Sequence, residues 1–227
     1  TICVRGGSKA VKGKNAKLLH KKPLIAHSLI MILQSDLFDY VAVSSDDPKL
    51  LKISSNYGCK DLVKRPSYLA LDDSPKLPAI RHCVSEIEKK YNITFDICVD
   101  FDATSPLRNM QDIVTVTNLC EEKTVSNVIT GMQSRRSPYF NMVELDKNNI
   151  PHLSKKSYKN VSRRQDSPKC YDMNASIYAW KRKSLFDNDS LFQEETKFYE
   201  MPEERSIDID TELDFKFVSF LMNQKNQ

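Results

Sequence analysis

Apolar runs of strand length alternate along this chain with stretches whose apolar residues recur at helical spacing. TICVR at the start predicts a buried strand. PLIAHSLIMILQS predicts a helix, with Leu24, Ile25, Ser28, Leu29, Ile32 and Leu33 on one side. YVAVSSD (40–46) predicts a second strand and PKLLKISSNYG a second helix, with Pro48 in its first turn and Gly58 at its end. The strand KDLVKR, the helix SPKLPAIRHCVSEIEKKY and the long strand FDICVDFDAT follow. A helix over 110–122 and the strand SNVITGMQ continue the rhythm, which resumes later with DMNASIYAWKR, a last strand at SIDID and a last helix at TELDFKFVSFLMNQ. This alternation predicts an α/β fold with a doubly wound, mostly parallel sheet covered on both faces, whose ligands gather at the carboxyl ends of the strands. Between 135 and 171 the rhythm breaks into polar, basic chain with three prolines. That excursion, with a candidate ribbon at YFNMVELD and a turn at KNN, is expected to serve as an oligomer contact or a lid.

Composition narrows the class. The 227 residues suit one domain over 1–227, and the longest apolar run, LIMIL, falls far short of a bilayer span, which excludes a membrane protein. With 34 basic and 30 acidic residues well interspersed, the net charge of +4 argues against nucleic acid and admits an anionic small substrate. Six cysteines without C-x-x-C spacing, and no signal-peptide pattern, predict a cytoplasmic setting without disulfides or structural zinc.

Three constellations carry chemistry. RGGSKAVKGKN (5–15) follows the first strand: its glycines allow close backbone approach to a phosphate, and Arg5, Lys9, Lys12 and Lys14 supply positive charge. It is not a Walker A loop, because Gly7 and Gly13 enclose five residues and Asn15 follows Lys14. In SIDID, Asp208 and Asp210 at i and i+2 of an extended chain share a face, a costly pairing that a cation such as Mg²⁺ would relieve. Thr211 and Asp214 predict the capping box of the last helix. In VDFDATSPLR, Asp100 and Asp102 share a strand face, and Thr104 and Ser105 add hydroxyls in the next turn. The four histidines are too scattered for a metal set.

Taken in order, these signals resemble the acylneuraminate cytidylyltransferases, which make CMP-activated nonulosonic acids. VRGGSKAVKGKN is similar to the family's A-R-x-G-S-K-G, four residues, K-N, and RPSYLALDDS to its R-P-x-x-L-A-x-D. DATSPLR is similar to Q-P-T-S-P-L-R, RRQDSPKCYDMNASIY to R-Q-x-x-P followed by N-G-A-I-Y, and SIDIDTELDF to I-D-I-D-T-x-x-D. The likeness runs from Ile2 to about Phe215, and its wording looks most like the bacterial CMP-legionaminic acid synthetases. The resemblance implies a fold of the nucleotide-diphospho-sugar transferase type, CTP and a nonulosonic acid as substrates, Mg²⁺ as cofactor, and a homodimer built on the excursion over 135–171. It implies Arg5 and Lys14 as the catalytic charges, with Arg5, Ser8, Lys14 and Asn15 on the triphosphate and ribose and Arg65, Ser74 and Lys76 near the cytosine. It assigns Asp102, Thr104, Ser105, Arg164 and Asn174 to the sugar and Asp208 and Asp210 to the metal, while Asp102 with Asp100 stays open as a further metal ligand. Three positions depart from the pattern: Ala10 and Ala175 stand where the family has glycine, and Asp102 where it has glutamine. No residue stands out as a general base. The alternatives are a same-fold nucleotidyltransferase for another sugar, such as a 3-deoxy-octulosonate, or a non-catalytic anion-binding module.

Overall fold

The computed structural model describes residues 1–7, 11–156 and 163–224. Its strands are β1 (Ile2–Cys3), β2 (Ala42–Ser45), β3 (Asp61–Lys64), β4 (Ile97–Phe101), β5 (Asn127–Gln133), β6 (Tyr171–Lys181) and β7 (Thr196–Glu200). Its helices are α1 (Leu24–Leu33), α2 (Pro48–Asn56), α3 (Lys76–Tyr91), α4 (Met110–Glu121), α5 (Arg182–Asp187) and α6 (Glu212–Gln224). Strands β3, β2 and β1 pair in parallel. The amide of Phe101 donates to the Thr1 carbonyl at 2.9 Å, which carries β1 on to β4. β6 then lies antiparallel between β4 and β5, and β7 runs parallel to β5. The sheet is therefore mostly parallel, in the order β3-β2-β1-β4-β6-β5-β7, with one reversed strand.

Alternation along β6 shows how both faces are covered. Ile177 and Ala179 point to the side packed by Ile25 and Leu29 of α1 and Ile113 and Val116 of α4. Tyr178 and Trp180 point to the side packed by Ile80 and Val84 of α3 and Leu185 of α5. Local signals set the helix ends. Asp47 accepts from the Lys49 amide at 2.8 Å ahead of Pro48, and Gly58 follows α2 with φ +96°, a conformation that suits a residue without Cβ. The Thr211 and Asp214 capping box forms, with the Thr211 amide donating to Asp214 Oδ2 at 2.7 Å and the Asp214 amide to Thr211 Oγ1 at 3.2 Å. No helix among the described residues is long and apolar enough to cross a membrane.

The structure differs from the sequence reading in particular places. SIDID is not a strand: 206–210 runs as loop, with the Ile209 amide bonded to the Thr104 carbonyl at 2.9 Å and no ladder partner. β7, α5 and a small hairpin of Leu18–Leu19 with Lys22–Pro23 were not expected, being short and weakly patterned. The long strand expected over FDICVDFDAT shortens to β4, because Asp102 turns away toward Thr104. The excursion does contain a ribbon, Val143–Leu145 paired with Pro151–Leu153, exposed along both strands.

Candidate active site

Loops at the carboxyl ends of β1, β3 and β4 enclose a pocket of about 330 Å³. Its cationic wall comes from Arg5, Lys14, Arg65 and Lys76, and its acidic wall from Asp102, Asp208 and Asp210. Gly13 has φ +63°, which lets the chain turn into the short helix Lys14–Ala16 that presents Lys14 and Asn15 to the pocket. The Lys14 ammonium donates to the Ile209 carbonyl and lies 3.1 Å from Asp210 Oδ1. Asn15 donates to the Arg5 carbonyl at 3.1 Å, while its buried Oδ1 has no hydrogen-bond partner among the described residues. The Arg5 guanidinium reaches Asp72 Oδ1 at 2.9 Å and the Leu71 carbonyl at 3.0 Å. Ser8, with Lys9 and Ala10, lies outside the described residues.

Arg65 is buried and donates through Nη2 to the Ser44 carbonyl at 3.1 Å, which anchors its guanidinium at the end of β2. Ser74 donates to the Tyr68 carbonyl at 3.0 Å and accepts from the Leu71 amide at 3.1 Å, fixing the turn that follows Arg65. Lys76, at the start of α3, lies 2.9 Å from both Asp100 Oδ2 and Asp102 Oδ2. Burial lowers the lysine's affinity for its proton, but the two carboxylates outweigh burial and raise it well above the ordinary value. The sequence placed Asp100 and Asp102 on one face and the structure supplies the cation between them.

The acidic side is unbalanced. Burial alone would raise the Asp102 carboxyl, yet Lys76 and the Thr104 hydrogen bonds bring it down to about 2. Asp208 has no such counter-cation: burial, opposed by Thr104 and Lys14 and reinforced by Asp102 and Asp210, pushes it up to about 6. Its Oδ1 is buried and has no hydrogen-bond partner among the described residues. Among the described residues no three metal-type ligands already form a cage. An orphaned carboxylate oxygen beside two further carboxylates still fits a hard divalent cation of the magnesium kind, which takes one or two protein carboxylates and completes its shell with phosphate and water oxygens.

The remaining sugar candidates are distributed unevenly. Thr104 lines the pocket and donates to Asp102 Oδ1 at 2.9 Å. Ser105 and Asn174 lie below it: Ser105 is fully buried and donates to the Asn174 carbonyl at 3.2 Å. Asn174 accepts from the Thr130 hydroxyl at 2.7 Å and donates to the Ser206 hydroxyl at 3.0 Å, so its amide ties the sheet to the 206–210 loop. Arg164 begins a short helical turn, and its side chain lies outside what is described. Arg108, which sequence reasoning did not single out, is buried and donates to the Asp102 carbonyl and to the hydroxyls of Ser176 and Ser28 at 3.0 and 2.8 Å. Burial lowers its guanidinium to about 10. It braces the turn that carries Asp102.

Across Lys76 and Pro75 lies a second, more apolar groove of about 410 Å³. Leu77, Pro78, Ile80, Tyr178, Trp180 and Leu191 form its walls, and Arg81 and Asp189 pair across its rim at 2.8 Å. Trp180 Nε1 is buried there without a hydrogen-bond partner among the described residues. No local sequence pattern marks this groove, because its walls come from α3, β6 and the chain after α5.

A family model described as "Cytidylyltransferase" matches residues 2–225. The chain is 42% identical over 226 residues to a protein of Campylobacter jejuni named CMP-N,N'-diacetyllegionaminic acid synthase, covering all of this chain and 95% of that one. It is 40% identical, with the same coverage, to a Campylobacter coli protein named post-translational flagellin modification protein B. Among solved structures, a CMP:2-keto-3-deoxy-manno-octonic acid synthetase complexed with CTP superposes with a TM-score of 0.69 at 18% identity, covering 99% of this chain and 97% of that one. At that identity the likeness speaks for the fold.

Proposed function

Because the chain belongs to the cytidylyltransferase family, we propose that it joins the CMP portion of CTP to the anomeric hydroxyl of a nonulosonic acid, legionaminic acid or a close relative, and releases pyrophosphate. One observation carries the reading of the site: a cationic wall and an unbalanced acidic wall face each other in one pocket, and an apolar groove adjoins it across Lys76. The pocket suits a nucleoside triphosphate, whose phosphates need neutralising charge rather than covalent help. Arg5 and Lys14 neutralise and align the triphosphate. The unpartnered Asn15 Oδ1 is available to a ribose hydroxyl, and Arg65, Ser74 and Lys76 shape the nucleoside side. The groove, walled by apolar and aromatic side chains, suits the acyl-bearing end of the acceptor. Asp102 and Thr104 then stand between the two ligands, and Ser105, Asn174 and Arg108 hold their loops.

Asp208 and Asp210 would hold Mg²⁺, which supplies Lewis-acid polarisation of the phosphate when bound. We read the whole chain as one nucleotidyltransferase domain acting in the cytoplasm. Its excursion forms a homodimer contact through the exposed Phe140, Met142, Leu145, Ile150 and Leu153. The test is a panel of sugar acids incubated with CTP and Mg²⁺, reading CMP-sugar by mass spectrometry. CMP-legionaminate as the dominant product supports the reading. Product only from an eight-carbon 3-deoxy acid or a sugar 1-phosphate, or no product with any acceptor, overturns it.

A further inference from the structure

Asp208 and Asp210 stand on a loop without ladder bonds, so something other than a sheet must fix them. We propose that the buried ion pair between Asp112 and Arg205 is the positioning device that sets this segment against the turn carrying Asp102. The inference rests on the reading that 206–210 holds the metal, and it concerns two residues to which no motif assigned a role.

The geometry is specific. Arg205 closes the short turn Glu203–Arg205, immediately before Ser206. Its Nε and Nη2 donate to Asp112 Oδ2 and Oδ1, each at 2.9 Å, a two-pronged contact that a lysine cannot reproduce. Asp112 is fully buried and also accepts from the Asn109 amide at 2.9 Å and the Tyr199 hydroxyl at 3.2 Å. Through Asn109 it fixes the first turn of α4, which directly follows the turn of Asp102, Thr104 and Arg108. Arg205 thus ties the carboxylate segment to the base of the acceptor-side turn. At the site itself the tie reaches the turn through a backbone bond from the Ile209 amide to the Thr104 carbonyl at 2.9 Å. A loop held from one end by the forked ion pair and by Asn174 at Ser206, and from the other by Lys14, has its register fixed without a strand partner. Loosening the fork lets Asp208 drift relative to Asp102 while the cationic wall stays in place.

The test compares the wild type with Arg205→Lys and Asp112→Asn as full chains. Site-resolved hydrogen exchange reads the Ile209 amide without ligands, and electron paramagnetic resonance reads Mn²⁺ binding in the presence of CTP. The expected result is exchange at Ile209 at least ~10-fold faster and Mn²⁺ affinity at least ~10-fold weaker, with CTP affinity within about threefold. Unchanged Ile209 exchange overturns the proposal, and so does faster exchange with unchanged Mn²⁺ affinity, which would make the pair a contact of the fold alone. If both variants fail to fold, Tyr199→Phe removes one of the contacts to Asp112 and must shift both readouts in the same direction. A wild type that makes no CMP-sugar yet shows these differences sinks the substrate reading and keeps this one. An active wild type with no differences does the reverse.

Discussion

Replacing Lys76 by methionine removes the ammonium that lies 2.9 Å from Asp100 and Asp102 and leaves two carboxylates facing one another beneath the pocket. Deleting one partner of a buried pair costs about 3–5 kcal/mol. A second figure comes from Asp102, whose carboxyl sits at about 2 instead of 3.8. At 1.36 kcal/mol per unit that is about 2.5 kcal/mol, part of it due to Thr104 rather than Lys76. The lysine side chain is 32% exposed, so water screens some of the attraction and the lower end applies. We expect Lys76→Met to lose about 2–3 kcal/mol, roughly 30- to 150-fold in the unfolding equilibrium. Urea unfolding followed by far-ultraviolet circular dichroism measures this. The sign of the pH dependence follows from the depressed carboxyl. Its stabilising contribution in the wild type is complete above the unfolded value of roughly 4 and disappears as pH falls through about 2. In the variant, unpaired carboxylates accept protons at higher pH, so the deficit should be largest near about pH 7.5 and narrow toward about pH 5. A deficit under about 1 kcal/mol near neutrality, or one that stays constant with pH, would refute the reasoning.

Asp208→Asn should cut turnover by ~10²-fold or more while raising the melting temperature in excess chelator by a few degrees, because it removes a carboxylate whose burial outweighs its contacts with Thr104 and Lys14; a lower melting temperature would count against this. Ala175 has φ +50° within a register shift of β6, so Ala175→Gly should stabilise by about 0.5–1 kcal/mol once the flexibility of glycine in the unfolded chain is discounted; calorimetry showing a lower melting temperature would disprove it. Leu145→Asp with Ile150→Asp places charges on the exposed ribbon and should turn a dimer into monomers by light scattering, whereas an unchanged mass would remove the ribbon from the interface.

The alternation of apolar and polar runs made the α/β layering legible, since β2 and β4 are buried on both faces and α1, α3 and α4 carry continuous apolar stripes. The reversed direction of β6 was not legible, because the direction of a strand leaves no mark on its own composition. SIDID misled for a physical reason. Its alternation reports an extended chain, and a loop pinned by Thr104, Lys14 and Asn174 is as extended as a strand. The site's charges were legible where they cluster locally, as at Arg5, Lys14 and Asp208. The partners that set their behaviour were not: Lys76 with Asp100, Arg108 with Ser28 and Asp112 with Arg205 meet only after the chain has folded.

The sequence holds a single tryptophan, and the fold sets it in the wall of the apolar groove beside Lys76, 1% exposed and with its ring centroid 5.6 Å from that of Tyr178. The enzyme therefore carries one native fluorophore in the groove that we read as the acceptor's. Red-edge excitation isolates Trp180 from the tyrosines, and a ligand filling the adjoining groove should shift its emission. Addition of CTP alone, which fills the pocket beyond Lys76, should leave that emission nearly unchanged. The order in which nucleotide and sugar enter can then be followed in a stopped-flow trace, without a label.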